Sequence, residues 1–144
     1  MLEADYPYTS GNSGNGGQCM FNSSAIAASI TGWHYAIPPC YDACDSQSLA
    51  DATAAVAAQG PPSICVAAST WMDYSSGVFK GHCPHDYSSL DHCVQAVGFD
   101  VGTSDPYWIV RNSWGADWGE AGYIRITTDN NHCGILDEAT IPTV

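Results

Sequence analysis

A histidine and an asparagine border two β-type runs that could position them for acid–base chemistry. His92 begins an apolar run, and Asn112 ends the run that opens at Tyr107. A histidine that acts as a base needs a neighbour that fixes its tautomer and ring orientation, and an amide oxygen does this without adding charge. Trp114 and Trp118 follow beside glycines, and an indole covering such a hydrogen bond excludes water and strengthens it. The residues predict two of the three parts of a Cys-His-Asn apparatus.

The composition restricts the class of protein. The chain has 144 residues, of which 3 are basic and 15 acidic, and its formal net charge is −12. We expect no nucleic-acid partner, because so few cations cannot displace counterions from phosphate. No apolar run is long enough to span a membrane, and the acidic start at residues 1–5 does not resemble a signal peptide. The acidic balance also suits an acidic compartment, where self-repulsion falls.

Strands dominate the predicted secondary structure, and one helix packs on them. The helix is predicted at Ser46–Gln59, with Gly60 and two prolines as its stop. Strands are predicted within residues 19–35 and at Ser63–Ala68, Val78–Phe79, Cys93–Phe99, Tyr107–Asn112 and Tyr123–Thr127. The tail from Cys133 to Val144 is predicted to be mixed. This order predicts an α+β fold with an antiparallel sheet or partial barrel and one main helix.

Several short motifs accompany these elements. They are Tyr6-Pro7-Tyr8, Asp91-His92, Asn112-Ser113-Trp114-Gly115, Trp118-Gly119, Gly122-Tyr123 and Asn131-His132-Cys133-Gly134. The chain resembles the C-terminal half of a papain-family cysteine protease of the cathepsin L type. The resemblance implies a cysteine-type endopeptidase that acts on peptides, with His92 as base, Asn112 as its orienter and Trp114 and Trp118 as support.

The resemblance stops at the nucleophile. The family signature C-G-[SA]-C-[WY] does not occur in the chain, nor does the oxyanion glutamine that precedes it. We therefore expect residues 1–144 to form a single His- and Asn-bearing β-rich domain, with residues 1–18 as a crossover loop. The Cys-bearing N-terminal domain would be the partner, and the chain alone is expected to be inactive.

Seven cysteines are many for this length and favour an oxidising, lysosomal, vacuolar or extracellular setting. By resemblance, Cys83 pairs with Cys133, and Cys19 pairs with a cysteine of the absent domain. The remaining cysteines allow a local bridge and a bridge between adjacent strands, although spacing alone leaves the connectivity open. The expected internal pairs are Cys83–Cys133, Cys40–Cys44 and Cys65–Cys93.

The resemblance also implies a substrate pocket. Glu138 falls at the floor of the second specificity pocket, where a carboxylate would favour a basic substrate residue such as Arg. The alternative, a solvated carboxylate beside Asp137, stays open. The other residues expected to contact substrate are Cys65, Ala68, Leu90 and Cys93.

Other kinds of site are also represented in the sequence. Asn22-Ser23-Ser24 is a glycosylation sequon, which matters only in a secreted chain. Three His-Cys dipeptides suggest a zinc site as an alternative. Zinc sites usually show closely spaced ligand pairs, however, and only Cys40 and Cys44 have nearly that spacing. We expect no metal and no cofactor. The rival interpretations are a non-catalytic interaction or structural protein that keeps a protease-derived fold, and a truncated gene product.

Overall fold

The structure is a computed structural model that describes residues 1–11 and 13–144. It contains two compact units, which are residues 1–32 with 143–144 and residues 33–142. The first unit is mainly loop, with a short helix α1 at Ser10–Ser13 and a 3₁₀ turn at Ser23–Ala25. This agrees with the turn-forming composition of its glycines, serines and asparagines.

One α-helix and a seven-stranded sheet, which lie almost entirely in the second unit, make up most of the regular structure. The strands are β1 Gly32–Tyr35, β2 Ser63–Val66, β3 Val78–Phe79, β4 His92–Asp100, β5 Tyr107–Arg111, β6 Tyr123–Thr127 and β7 Ala139–Thr143. Their order across the sheet is β1-β7-β2-β4-β5-β6-β3. The pairs of β2 with β4 and β7, β4 with β5, and β5 with β6 are antiparallel, and β3 joins β6 in parallel. The α+β prediction is confirmed, with an open, mostly antiparallel sheet.

The main helix, α2, runs from Leu49 to Gln59. It begins three residues later than predicted because Ser48 acts as the cap, accepting a hydrogen bond from the Asp51 N–H at 3.2 Å. It ends where Gly60 adopts φ +95°, a conformation that favours glycine. Its buried face presents Ala52 and Ala55.

The core lies where this helix meets the sheet. Alternate residues of the central strands are buried, as expected for strands with one face against a core. The large apolar side chains that are fully buried include Ile64, Val66, Trp71, Val110, Ile124, Ile126 and Ile135.

The β4–β5 hairpin contains a β-bulge. Ala96 pairs with Val110, but the next pair is Gly98 with Ile109, so Val97 is an extra residue in β4. No helix among the described residues is long and apolar enough to cross a membrane.

Candidate active site

The β4–β5 hairpin brings His92 and Asn112 to the same open end of the sheet. His92 is the first residue of β4, and Asn112 directly follows β5, which runs antiparallel to it. Because every second residue of a strand points to the same side, His92, Val94 and Ala96 lie on one face of β4. Val110, which pairs with Ala96, lies on that face of β5 together with Asn112. Strand alternation and antiparallel pairing together therefore place the imidazole and the amide side by side.

A single oxygen fixes the tautomer of His92. Its Nε2 lies 2.9 Å from Asn112 Oδ1, and the backbone N–H of Ser113 donates to the same oxygen at 2.8 Å. Because a backbone N–H can only donate, the atom that accepts from Ser113 must be the oxygen and not the amide nitrogen. The Nε2 of His92 is then the donor, which leaves the Nδ1 lone pair of the neutral ring available as a base.

Aromatic rings hold the imidazole in place. The Trp114 indole stacks on the His92 ring, with 5.3 Å between centroids and 24° between planes. Trp118 meets Trp114 edge-to-face at 5.0 Å, and the fully buried Trp71 contacts both indoles. The orientation of Trp118 is fixed by a hydrogen bond, since its Nε1–H donates to the Met72 carbonyl at 3.2 Å. The stacked Trp114 indole restricts rotation of the His92 ring, and the hydrogen-bond acceptor Asn112 is buried.

Asp91, immediately before His92, anchors the start of β4. Its Oδ1 accepts a hydrogen bond from the Ala68 N–H at 2.7 Å, and its own N–H donates to the Val66 carbonyl at 3.0 Å. The two bonds attach the backbone beside His92 to the end of β2. Ala68 and His92 also line a common cavity of about 230 Å³, together with Met72 and Trp114.

His92 also lines a larger open cavity, of about 540 Å³. Four residues expected from the sequence to contact substrate line it: Cys65, Leu90, Cys93 and Glu138. Ala68 lies in the neighbouring cavity instead. The half-buried Glu138 is therefore part of a cavity that reaches the imidazole.

A buried carboxyl group lies directly before Glu138 in the chain. Asp137 is 0% exposed, and its Oδ1 accepts from Asn131 Nδ2 at 2.5 Å, while Oδ2 has no partner. Burial raises the pKa of Asp137 to about 6 because it disfavours the charged carboxylate. Asn131 Oδ1 accepts from the Leu136 N–H at 2.8 Å, so the same amide also fixes the backbone that leads to Glu138.

Six cysteines are bridged, in the pairs Cys40–Cys44, Cys65–Cys93 and Cys83–Cys133. Cys19 is the free cysteine among the described residues and is exposed. Cys83, Cys133 and His132 form a close cluster, but the two sulfurs are bonded to each other and offer no thiolate to a metal. Asn22 is exposed, and its Oδ1 accepts from the Ser24 N–H at 2.9 Å.

Several residues at the site carried no signal in the sequence. Tyr87 and Ser88 line the larger cavity from a 3₁₀ turn at Tyr87–Ser89, and Trp71 supports the indoles from the loop after β2. Each lies outside a periodic segment, so only tertiary contacts reveal its place. For Asp137, the signal available was its position next to Glu138.

Comparison with known proteins gives the same family as the motifs. Residues 1–143 match the family described as papain family cysteine protease. The chain belongs to the papain family. The expected resemblance is thereby confirmed, and the open α+β architecture agrees with solved family structures. Across all 144 residues, the chain is 42% identical to a cysteine proteinase of Trypanosoma brucei brucei, of which it covers 29%.

Other family members give a similar result. Human cathepsin O is 35% identical over 141 residues, with 97% of this chain and 40% of that protein covered. Digestive procathepsin L 3 of Tenebrio molitor larval midgut superposes with a TM-score of 0.80 at 35% identity, over 100% of this chain and 44% of its own. Bromelain from Ananas comosus, in complex with the E64 inhibitor, gives 0.77 at 36% identity, over 99% and 61%. The chain thus spans less than half of the curated relatives that it matches.

Proposed function

We infer that this chain supplies the base and its orienting amide to a cysteine-type endopeptidase, while the nucleophilic cysteine belongs to an N-terminal domain of the parent protein. The observation that carries the proposal is the single oxygen of Asn112 shared by the His92 ring and the Ser113 N–H. This arrangement leaves Nδ1 of His92 free to receive a proton. The absence of a nucleophile signature from the sequence is the reason for placing the cysteine elsewhere.

The reaction would proceed in two stages. Nδ1 of His92 takes the proton of the cysteine thiol, and the resulting thiolate attacks the peptide carbonyl carbon. The imidazolium then returns its proton to the leaving amine, which leaves an acyl group on sulfur. In the second stage, His92 deprotonates a water molecule, whose oxygen replaces the sulfur and releases the carboxylic acid. No metal or cofactor takes part.

Asn112 and Trp114 would act through His92 and not on the substrate. The Asn112 amide holds the ring in its Nε2–H tautomer, and the stacked indole of Trp114 keeps it from rotating. Loss of a positioned acid–base group costs on the order of 10²–10⁴ in rate.

The larger cavity would be the specificity pocket of this enzyme. His92 lines this cavity together with Cys65, Leu90, Cys93 and Glu138. A substrate side chain bound in the cavity would therefore lie beside the peptide bond to be cleaved. The carboxylate of Glu138 would accept a charge-assisted hydrogen bond from an arginine of the substrate. Three disulfides and an exposed sequon at Asn22 support a lysosomal, vacuolar or extracellular location.

The proposal is tested with the parent protein and with this chain alone, using a fluorogenic dipeptide substrate. We expect hydrolysis by the parent protein that is abolished by thiol alkylation and by His92→Ala, and none by the chain alone. Alkylation-sensitive turnover by the purified chain would place the nucleophile within it and refute the division of roles. A parent protein without a cysteine at the nucleophile position would favour the non-catalytic interpretation.

A further inference from the structure

The Cys65–Cys93 disulfide forms part of the wall of the larger cavity. The two cysteines stand directly opposite each other on β2 and β4, and both line the space that contains Glu138 and His92. Cys93 is exposed and Cys65 is half-buried. Cys93 is therefore the more accessible residue of the pair to a small molecule in this cavity.

The other two disulfides are better protected. In Cys83–Cys133 the residues are 7% and 0% exposed. In Cys40–Cys44 the second residue is 4% exposed, and the first is half-buried. Because thiol–disulfide exchange requires direct access of the attacking thiolate to a sulfur, the three bridges should differ in reactivity.

The charge around the cavity selects the kind of thiol. Two carboxylates, of Asp91 and Glu138, line it, and the imidazole of His92 is the one basic side chain among its lining residues. The chain as a whole carries a formal charge of −12. An anionic thiol is repelled from such a cavity, whereas a cationic one is attracted.

We propose that Cys65–Cys93 is a thiol-exchange site that reacts with small cationic aminothiols entering the cavity beside His92. The aminothiol thiolate attacks Sγ of Cys93 and forms a new S–S bond to it. The Cys65–Cys93 bond breaks, and the Cys65 sulfur leaves with the electron pair and takes a proton from solvent. A second aminothiol attacks the mixed disulfide, so two aminothiols are oxidised to their disulfide and both cysteines are reduced to thiols.

The mixed disulfide would carry its amine next to Glu138. The Glu138 carboxylate then stabilises the mixed disulfide by attracting its amine. This attraction adds to the electrostatic preference for cationic thiols as they enter the cavity. This recognition is independent of peptidase activity, since it requires only the cavity and its disulfide.

The test uses the oxidised chain and three thiols at equal thiolate concentration at pH 7.5: cysteamine, 2-mercaptoethanol and 3-mercaptopropionate. Samples are quenched with iodoacetamide over time, and each cysteine is quantified by peptide mass mapping, while tryptophan fluorescence checks that the fold persists. We expect Cys65 and Cys93 to be labelled about tenfold faster than the other bridged cysteines. Cysteamine should react about three- to tenfold faster than 3-mercaptopropionate. The difference is limited to this range because solvent and salt partly screen a charge interaction near the surface.

Two variants separate cavity recognition from general exposure. Glu138→Gln should reduce the preference for cysteamine over 3-mercaptopropionate at least twofold. Asp73→Asn, which removes an exposed carboxylate that does not line the cavity, should leave that ratio unchanged. Faster reduction of Cys40–Cys44 or Cys83–Cys133, or equal rates with the cationic and anionic thiols, would overturn the proposal.

Discussion

Asp137 should make the stability of this chain depend on pH in a way that a single substitution removes. Its carboxyl group is fully buried, one oxygen has no partner, and burial raises its pKa from the ordinary value of 3.8 to about 6. The hydrogen bond from Asn131 and, less strongly, His85 oppose this rise in pKa, and Asp86 reinforces it; each effect is smaller than that of burial. The raised pKa means that the folded chain binds the proton more tightly than the unfolded chain does.

The sign of the effect follows from linkage. Below about pH 4, both states are protonated and the contribution of Asp137 to stability is fully present. As the pH rises through about 4 to 6, only the folded state keeps its proton, so the contribution is lost. The difference of about 2 pKa units, from 3.8 to about 6, corresponds to about 3 kcal/mol of unfolding free energy.

Asp137→Asn should remove this pH dependence because its amide stays neutral. The amide oxygen can still accept from Asn131, but its N–H₂ group takes the place of the unpartnered oxygen and costs about 1 kcal/mol. The stability of the variant relative to wild type should therefore rise by about 2.5 kcal/mol between pH 4 and pH 7.5, because part of the full effect is already lost at pH 4. The variant would be the less stable protein at pH 4 and the more stable one at pH 7.5.

The measurement is urea unfolding followed by tryptophan fluorescence at pH 4, 5, 6 and 7.5. Comparing the two proteins cancels the titration of the histidines, which are common to both. Asp73→Asn serves as the control, since Asp73 is exposed and its replacement should not alter the slope. If wild type and Asp137→Asn show parallel pH profiles, Asp137 is not a buried titrating group and the reasoning is wrong.

Further predictions concern the complete enzyme and the covalent structure. Asn112→Ala in the parent protein should lower kcat by on the order of 10²–10⁴, and unchanged turnover of a folded variant would show that another group orients His92. Glu138→Ala should reduce kcat/KM for substrates with Arg at the specificity position about tenfold and leave Phe substrates unaffected; equal effects on both would make Glu138 a solvated surface charge. Non-reducing peptide mapping of the chain should find Cys83 joined to Cys133 and Cys19 unlinked, and a bridge from Cys19 to any other cysteine of the chain would contradict the expectation that its partner lies in the N-terminal domain.

The two strands and the approach of their open ends were predictable because they depend on local rules. Alternation fixes the facing of residues within β4 and β5, and a hairpin brings its two open ends together. The sequence motif around Asn112 adds the indole that covers the pair. These features need no knowledge of distant contacts. That His92 and Asn112 share a face depends in addition on the bulge at Val97, which no pattern in the sequence indicated.

Other elements depended on long-range packing or on exceptions to propensity. Strand β7, Ala139–Thr143, was predicted only as part of a mixed tail. Its Pro142 lacks a backbone donor, so the local sequence does not favour a strand there. Within residues 19–35, only Gly32–Tyr35 forms a strand. Tyr87 reaches the cavity from a loop, and no periodic pattern indicates where such a residue packs.

The bulge at Val97 gives the β4–β5 hairpin two pairing frames. Near the turn, Phe99 pairs with Trp108 and Asp100 with Tyr107. If this pairing frame continued without the bulge, Gln95 would pair with Asn112, the residue that follows β5.

In that frame, His92, three positions before Gln95, would face away from Asn112. The extra residue shifts the pairing by one position, so that Gln95 pairs with Arg111. His92 and Asn112 then lie on the same face of the hairpin. An insertion or deletion of one residue in β4 would therefore separate His92 from Asn112. Added residues between Asp100 and Tyr107 would leave both frames intact, which makes that turn the place where this hairpin tolerates changes in length.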